Sequence, residues 1–241
     1  MDRIAPTRRP GRRALMHQRW RELGFLHWPV DTAAVQARLP PGLTVDTFDG
    51  QAWVGVVPFR VEGARVASLP PMPGTSHFLE INTRTYVHRE GRDPGVWFFS
   101  LDANHRLIVA VARALFHLAY RRAVIDMETA GVTTFEGGRL GAGGSGDAPR
   151  WRIRYRGLGA PGPAAPGTLE HFLTERYVLY ASAGERLYLG RVHHAPYPLQ
   201  RGEAEVTESL VAAAGLARPD SAPLVHYAAG VDVEIFALQR L

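Results

Sequence analysis

Polar side chains of types suited to acid–base chemistry and anion binding alternate along one short stretch of the chain. Successive side chains of a β-strand point to opposite faces, so one face of this stretch carries Glu80, Asn82, Arg84 and Tyr86. Aromatic residues at positions 78 and 97–99 predict that both faces are covered. A buried carboxylate and a buried guanidinium need each other or a ligand. This row is therefore the first candidate site, with mutual pairing of Glu80 and Arg84 as the structural alternative.

The composition limits the chemistry that such a site can perform. The 241 residues include no cysteine and no lysine, so the 28 basic residues are all arginine, and the net charge is +5. A thiolate nucleophile, a disulfide, a cysteine-ligated metal and a lysine Schiff base are thereby excluded. Arginine keeps its charge at any working pH and is suited to binding carboxylates and phosphates.

Histidine, serine and glycine patterns give no further site. The ten histidines include the adjacent His193 and His194, which point to opposite faces of a strand, and no HExxH motif is present. No serine lies in a Gly-x-Ser-x-Gly elbow. The glycine-rich segment from Gly137 to Gly146 lacks the lysine of a phosphate-binding loop. We therefore expect neither a metal ion nor another cofactor.

Short apolar runs between turn signals predict an antiparallel β protein with a few helices. Asp49-Gly50 predicts a hairpin between strands 44–48 and 53–59. A second hairpin is predicted from strands 78–88 and 96–101, and the loop 69–74 between the two hairpins is expected to cover a pocket mouth. Helical spacing predicts a helix over 106–118, with an apolar face formed by Leu107, Ile108, Val111, Leu115 and Leu118.

Shorter elements are predicted elsewhere. Asp31 is expected to cap a helix over 32–39, and Thr168 one that ends at 174. Strands are predicted at 123–135, 150–156, 177–180, 187–194, 204–209 and 231–238. In the strand 150–156, arginines at positions 150, 152, 154 and 156 share one face. That face is interpreted as solvated, with an anion-binding strip as the alternative.

The first residues differ in composition from the rest. Residues 1–16 carry five arginines and several turn formers, which predicts a disordered basic arm before a single domain over 17–241. No run of about 18 apolar residues is present, so we expect no membrane span. The absence of cysteine and of an apolar leader segment favours a cytoplasmic location.

A series of motifs follows an order and spacing that resemble a known family. The motifs include Asp46-Thr47-Phe48-Asp49-Gly50, Glu80 to Val87, Gly95 to Ala103 and Gly230 to Val233. They resemble the YqjF-like family of unknown function, over nearly the whole chain after residue 16. That family is grouped with the acetoacetate decarboxylase-like superfamily. The resemblance therefore implies an α+β, mainly antiparallel fold that closes into a barrel or cone around an interior pocket, with a few peripheral helices.

The same resemblance bears on the site. In the decarboxylases two adjacent lysines follow a Gly-Arg motif, and the first lysine forms the Schiff base. Here Ala112-Arg113 resembles the Gly-Arg motif, and Tyr120-Arg121 falls where the lysines stand. Tyrosine forms no imine, so the resemblance implies a protein that is not a Schiff-base decarboxylase. Glu80 resembles the acidic residue on the pocket strand of the decarboxylases.

These arguments combine into one expected site. Glu80 and Tyr120 are the catalytic candidates. The expected ligand-binding residues are Asn82, Arg84, Tyr86, Trp53, Trp97, Phe99, Arg113, His117 and Arg121.

Three functions remain open at this point. The first is an enzyme that transforms a small organic acid or a polyketide-like ligand without an imine. The second is a carrier or sensor that binds the same kind of anionic molecule. The third, which we favour least, is binding of nucleic acid or a membrane surface through the arginines. The sequence also leaves open whether the chain forms a homo-oligomer.

Overall fold

The computed structural model describes residues 1–71, 74–141 and 148–241. Its strands in chain order are β1 (Met16–Val30), β2 (Thr44–Val45), β3 (Ala52–Val66), β4 (Phe78–Arg89), β5 (Arg92–Ala103), β6 (Tyr120–Ala130), β7 (Val132–Arg139), β8 (Arg150–Gly162), β9 (Val178–Ala183), β10 (Arg186–His193), β11 (Leu199–Glu208), β12 (Leu224–Ile235) and β13 (Gln239–Arg240). Its helices are a short 3-10 helix (Ala5–Thr7), α1 (Thr32–Gln36), α2 (Arg106–Phe116), α3 (Leu169–Thr174) and α4 (Leu210–Ala213). None of the helices in these described ranges is long and apolar enough to cross a bilayer.

All these strands belong to one sheet that closes on itself. The sheet order is β13-β10-β9-β5-β6-β7-β8-β11-β12-β1-β3-β4-β2, and two further pairings join β5 to β4 and β10 to β12. The pairings of β5 with β6 and with β9 are parallel, whereas the other strand pairs are antiparallel. The expected α+β, mainly antiparallel fold is confirmed.

The two extra pairings create two rings of hydrogen-bonded strands. One ring runs β5-β6-β7-β8-β11-β12-β1-β3-β4, and the other runs β5-β9-β10-β12-β1-β3-β4. The first ring is filled by side chains such as Trp28, Phe135 and Tyr155. Strands β1, β3 and β4 belong to both rings, and for this reason their central residues are buried on both faces. The coverage of β4 on both sides, expected from its flanking aromatic residues, is confirmed.

Several predicted turns and caps are confirmed. Asp31 accepts a hydrogen bond from the Ala34 amide at the start of α1, and Thr168 caps α3 in the same way. The β4–β5 hairpin turns at Glu90-Gly91, where both residues have positive φ. These turns and caps could be predicted because each depends on local side-chain or backbone preferences.

Other predicted elements differ in the structure. Asp49-Gly50 forms a turn that is closed by a β-bridge between Phe48 and Gln51. The predicted hairpin does not extend further, because β2 pairs with β4 rather than with β3. The predicted strand 123–135 is a hairpin of β6 and β7 that turns at Gly131, whose φ is +77°. The predicted glycine-rich connection begins inside β7, and its residues 142–147 lie outside the described ranges. Residues 72 and 73 of the predicted loop 69–74 lie outside them as well.

Helix α2 forms as predicted, but a different face is buried. The buried residues are Val109, Ala112 and Phe116, whereas Leu107, Val111 and Leu115 are exposed. The spacing of apolar residues located the helix correctly. It did not identify the buried face because the helix carries apolar residues on nearly every side.

Residues 1–15, nearly all of the segment predicted as a disordered arm, contact the rest of the chain at several points. Arg3 forms an ion pair with the buried carboxylate of Asp46, and Arg9 forms one with Glu234. Pro6 is buried, and the Arg12 guanidinium donates to the carbonyl of Ala237. The partners of this segment are carboxylates and a carbonyl that lie far away in sequence. The sequence of the segment therefore could not predict these contacts.

Candidate functional site

A cavity of about 130 Å³ lies inside the second ring, and every strand of that ring contributes to its wall. Helix α2 covers it through Ile108, Val111, Ala112 and Phe116. Most of the wall is apolar. This volume is large enough for roughly four water molecules or for one small organic molecule.

Four of the predicted site residues meet in this wall, namely Glu80, Asn82, Arg84 and Tyr120. The first three alternate along β4 and point away from the first ring, whereas Ile81 belongs to the core of that ring. Tyr120 is the first residue of β6 and pairs with Leu101 of β5. The parallel pairing of β5 and β6 therefore brings a residue 40 positions away to Glu80.

Glu80 is a buried carboxyl with a hydroxyl partner. Its exposed fraction is 4%, and the Tyr120 hydroxyl donates to its Oε2 at 2.8 Å. Burial raises the pKa of Glu80 from 4.5 to about 7, the Tyr120 hydrogen bond and Asn82 lower it, and the charge of Asp102 raises it. At neutral pH both the acid and the carboxylate form are populated, as a group that exchanges protons requires.

Arg84 is a buried cation that has no carboxylate partner among the described residues. Its Nη2 donates to the carbonyl of Leu173 at 3.0 Å, and its guanidinium carbon lies 5.7 Å from the centre of the Phe25 ring. Within the same ranges, its Nε and the Oδ1 of Asn82 are buried without a hydrogen-bond partner. The alternative in which Glu80 and Arg84 neutralise each other is therefore wrong.

The remaining predicted residues do not line this cavity. Tyr86 lies further along β4, where its hydroxyl donates to the Leu173 carbonyl at 2.7 Å and contacts His27 Nε2 at 2.6 Å. Trp53 packs in the same cluster as Tyr86, and Trp97 packs beside Val178 in another. The expectation that these three aromatic side chains form the pocket wall is corrected.

Phe99 misses the cavity because of a β-bulge. Thr83 pairs with Ser100 while Arg84 pairs with Phe98, so Phe99 is an extra residue between two paired positions. The bulge shifts the alternation of β5 by one residue. Phe98 and Leu101 consequently both face the cavity, and Phe99 packs against the core of the first ring.

Arg113, His117 and Arg121 lie outside the cavity as well. Arg113 is exposed on α2 and donates from Nε to the Tyr120 carbonyl at 2.7 Å. His117 caps α2 in a left-handed conformation, with its ring centre 4.9 Å from that of Tyr188. Arg121 follows Tyr120 on β6 and is exposed, since adjacent strand residues point to opposite faces.

Sequence reasoning missed the opposite side of the wall. Trp20 and Phe25 of β1, Phe59 of β3 and Tyr197 all line the cavity. Residues 23–28 of β1 are buried on both faces, so the pattern there could not separate cavity-facing from core-facing residues.

The arginine strip of β8 is neutralised by glutamates. Its arginines are exposed, and three of them form ion pairs with glutamates of the neighbouring strands, namely Arg152 with Glu136, Arg154 with Glu205 and Arg156 with Glu203. The interpretation of this face as solvated is confirmed. Among the described residues, no three His, Asp or Glu side chains cluster in a way that would hold a metal ion.

Comparison with known proteins agrees with this geometry. Residues 17–232 match the DUF2071 family, described as an uncharacterized conserved protein. The chain belongs to this family. The chain is similar to the uncharacterized protein YqjF of Bacillus subtilis (strain 168), with 40% identity over 232 residues, covering 94% of this chain and 92% of YqjF.

Solved structures place the DUF2071 chain in the acetoacetate decarboxylase-like fold. The enduracididine biosynthesis enzyme MppR with bound HEPES buffer superposes with a TM-score of 0.66 at 15% identity, over 94% of this chain and 87% of MppR. Acetoacetate decarboxylase from Legionella pneumophila gives 0.65 at 14% identity, over 98% and 94%. An acetoacetate decarboxylase-like enzyme from Sphingomonas wittichii RW1 gives 0.64 at 13% identity, over 95% and 94%. The fold implied by the sequence resemblance is confirmed.

Proposed function

We propose that this protein binds a small organic acid in the cavity of the second ring, with the ligand carboxylate at Arg84, and exchanges a proton with it through Glu80. The observation that carries the proposal is the buried, unpaired charge of Arg84. A buried cation without a counter-charge is costly, and a bound anion removes that cost. Arg176, the other deeply buried arginine among the described residues, has its counter-ion within the chain, because Oδ2 of Asp46 lies 2.9 Å from its Nη1.

The chemistry follows from Glu80 and from the missing lysine. The chain has no lysine with which to form an imine, so the chemistry we infer is proton transfer by Glu80. The Glu80 carboxylate would take a proton from a carbon next to a ligand carbonyl, and the carboxylic acid would return it. Tyr120 orients the carboxyl through its hydrogen bond. A raised pKa makes Glu80 a stronger base than an exposed glutamate.

A ligand in one of the similar folds supports the choice of a small acid. MppR has been solved in complex with pyruvate, and that structure superposes with a TM-score of 0.64 at 16% identity. Pyruvate carries a carboxylate next to a carbonyl, and the cavity wall carries both a guanidinium, Arg84, and a proton-exchanging group, Glu80. We therefore favour short 2-keto and 3-keto acids over the larger polyketide-like ligands.

The second candidate function is binding without chemistry. It is favoured by the absence of the lysine that the decarboxylases use and by the apolar character of most of the cavity wall. In that case the protein would be a carrier or sensor of the same acids.

Binding is tested by thermal shift and calorimetry with short keto acids, comparing wild type with Arg84→Gln. The matched control is Arg154→Gln, which removes an exposed arginine far from the cavity. We expect a keto acid to stabilise the wild type and the control, but not Arg84→Gln. If no acid binds the wild type, or if Arg84→Gln binds as well as the control, the proposal fails.

Catalysis is tested separately with the acid that binds. Incubation in deuterium oxide followed by proton NMR detects exchange of the C–H protons next to the carbonyl. Exchange that Glu80→Gln abolishes while ligand binding persists supports the enzyme. Binding without exchange above the uncatalysed rate supports the carrier.

A further inference from the structure

Helix α2 presents an unusual outer surface. Its exposed apolar residues are Leu107, Val111 and Leu115, with exposed fractions of 51%, 38% and 62%. Ala110 and Ala114 lie between them and are exposed as well. The only other exposed residues of this fully described helix are Arg106 and Arg113. A helix on a protein surface normally turns polar residues to water, so this outer face is atypical.

The arrangement of these residues is that of an interfacial helix. Residues four apart share a face, so Leu107, Val111 and Leu115 form one apolar stripe. Arg106 and Arg113 are seven residues apart and therefore lie nearly in line at one edge of the exposed face, separated from the stripe by Ala110 and Ala114. An apolar face bordered by arginines is the pattern of helices that lie in the interface of a membrane.

The charge around the helix points in the same direction. Residues 103–125 include Arg106, Arg113, Arg121 and Arg122, all of them exposed, and no aspartate or glutamate. None of the ion pairs in the described part of the chain involves these four arginines. The exposed arginines of β8 at positions 152, 154 and 156 are, by contrast, each paired with a glutamate. The basic charge beside α2 is thus available to an external anionic partner.

We propose that α2 docks on an anionic lipid surface, with the stripe of Leu107, Val111 and Leu115 inserted into the interface and the four arginines against the headgroups. Apolar burial and attraction to anionic lipids both contribute to such binding. Val111 belongs to the stripe and also lines the cavity. Docking would therefore place the wall of the cavity directly at the lipid surface.

The test is cosedimentation of the full chain with vesicles of phosphatidylcholine containing phosphatidylglycerol, and with vesicles of phosphatidylcholine alone. We expect binding to the anionic vesicles that weakens steeply with salt. The variant Leu107→Gln/Leu115→Gln should lose it. Each of Arg106→Gln and Arg122→Gln should reduce the partition coefficient by about five-fold, since one basic residue near an anionic surface has roughly that effect.

Two matched controls distinguish binding through this surface from nonspecific electrostatic or hydrophobic binding. Leu158→Gln removes an exposed leucine of β8, and Arg154→Gln removes an exposed arginine of the same strand; both should leave vesicle binding unchanged. Circular dichroism checks that each variant is folded. Absence of binding to anionic vesicles overturns the proposal, as does equal loss in the controls. Sedimentation velocity gives the remaining outcome. A dimer that dissociates in Leu107→Gln/Leu115→Gln, together with no vesicle binding, would assign the stripe to a second copy of the chain and overturn the proposal.

Discussion

The Tyr120 hydroxyl donates a 2.8 Å hydrogen bond to Glu80 although the two residues are 40 positions apart. Glu80 lies on β4, and the chain passes through β5 and α2 before it reaches Tyr120 at the start of β6. The parallel pairing of β5 with β6 fixes the distance between them. The acid and its hydroxyl partner are therefore held by the sheet itself rather than by a loop.

The raised pKa of Glu80 predicts how stability depends on pH. Between the ordinary value of 4.5 and the folded value of about 7, native Glu80 holds a proton that the unfolded chain releases. The free energy of unfolding therefore falls as pH rises through this range, by about 3 kcal/mol from this one group. Urea unfolding of wild type and Glu80→Gln between pH 4.5 and 8 measures it. Equal pH dependence in both proteins would contradict the assignment.

Tyr120→Phe should raise the pKa of Glu80 above its value in the wild type. The hydrogen bond from the hydroxyl stabilises the carboxylate, and phenylalanine cannot provide it. Carbon-13 NMR of the glutamate carboxyl groups, assigned with Glu80→Gln, follows the titration. Tyr188→Phe, at a tyrosine outside the cavity, is the control and should leave the midpoint unchanged. A midpoint that falls in Tyr120→Phe would show that the hydroxyl does not stabilise the carboxylate.

Asp46→Asn should destabilise the protein strongly, because it leaves the buried Arg176 without its counter-ion. Breaking a buried ion pair by removing one partner costs about 3–5 kcal/mol. The exposed pair of Arg21 and Asp232 supplies the control, and Asp232→Asn should cost less than about 1 kcal/mol. Urea unfolding at pH 7 compares the two variants. Similar losses of unfolding free energy in both variants would mean that the buried ion pair contributes no more stability than the exposed one.

Gly55→Ala should destabilise the strands that support Arg84. A methyl group at Gly55 would lie 2.9 Å from Cδ2 of His27, whose ring is fully buried and held by Tyr86 at 2.6 Å. Overpacking of this kind costs about 1–3 kcal/mol. Gly162→Ala, which meets nothing within 4 Å, is the control for thermal unfolding. An unchanged melting temperature in Gly55→Ala would show that the His27 ring can move aside.

The polar row of β4 could be predicted because alternation along a strand is a local property. The other residues of the cavity wall could not be predicted, because their positions depend on how strands distant in sequence pair with one another. Phe98 replaces Phe99 in the wall as a result of one bulge, which no residue of β5 signals. Trp20 arrives through the pairing of β1 with β12, which are far apart in sequence. Tyr197 lies in the connection between β10 and β11, where its amide donates to the carboxylate of Glu175.

The expected role of Arg113 illustrates a second limit. Its place in the family motif suggested a position near the ligand, yet α2 turns it to the surface. Apolar residues on nearly every side of α2 hid which face is buried. Only the packing of Ala112 and Phe116 over the cavity decides it.

The passage of the chain from β4 through α2 to Tyr120 has a consequence for how members of this family diverge. One uninterrupted stretch, residues 78–120, supplies Glu80, Arg84, the bulged strand, the covering helix and Tyr120. The other strands contribute mainly an apolar frame. Under the proposed function this one stretch would set the ligand preference, and exchanging it between two family members should carry the preference of the donor into the recipient.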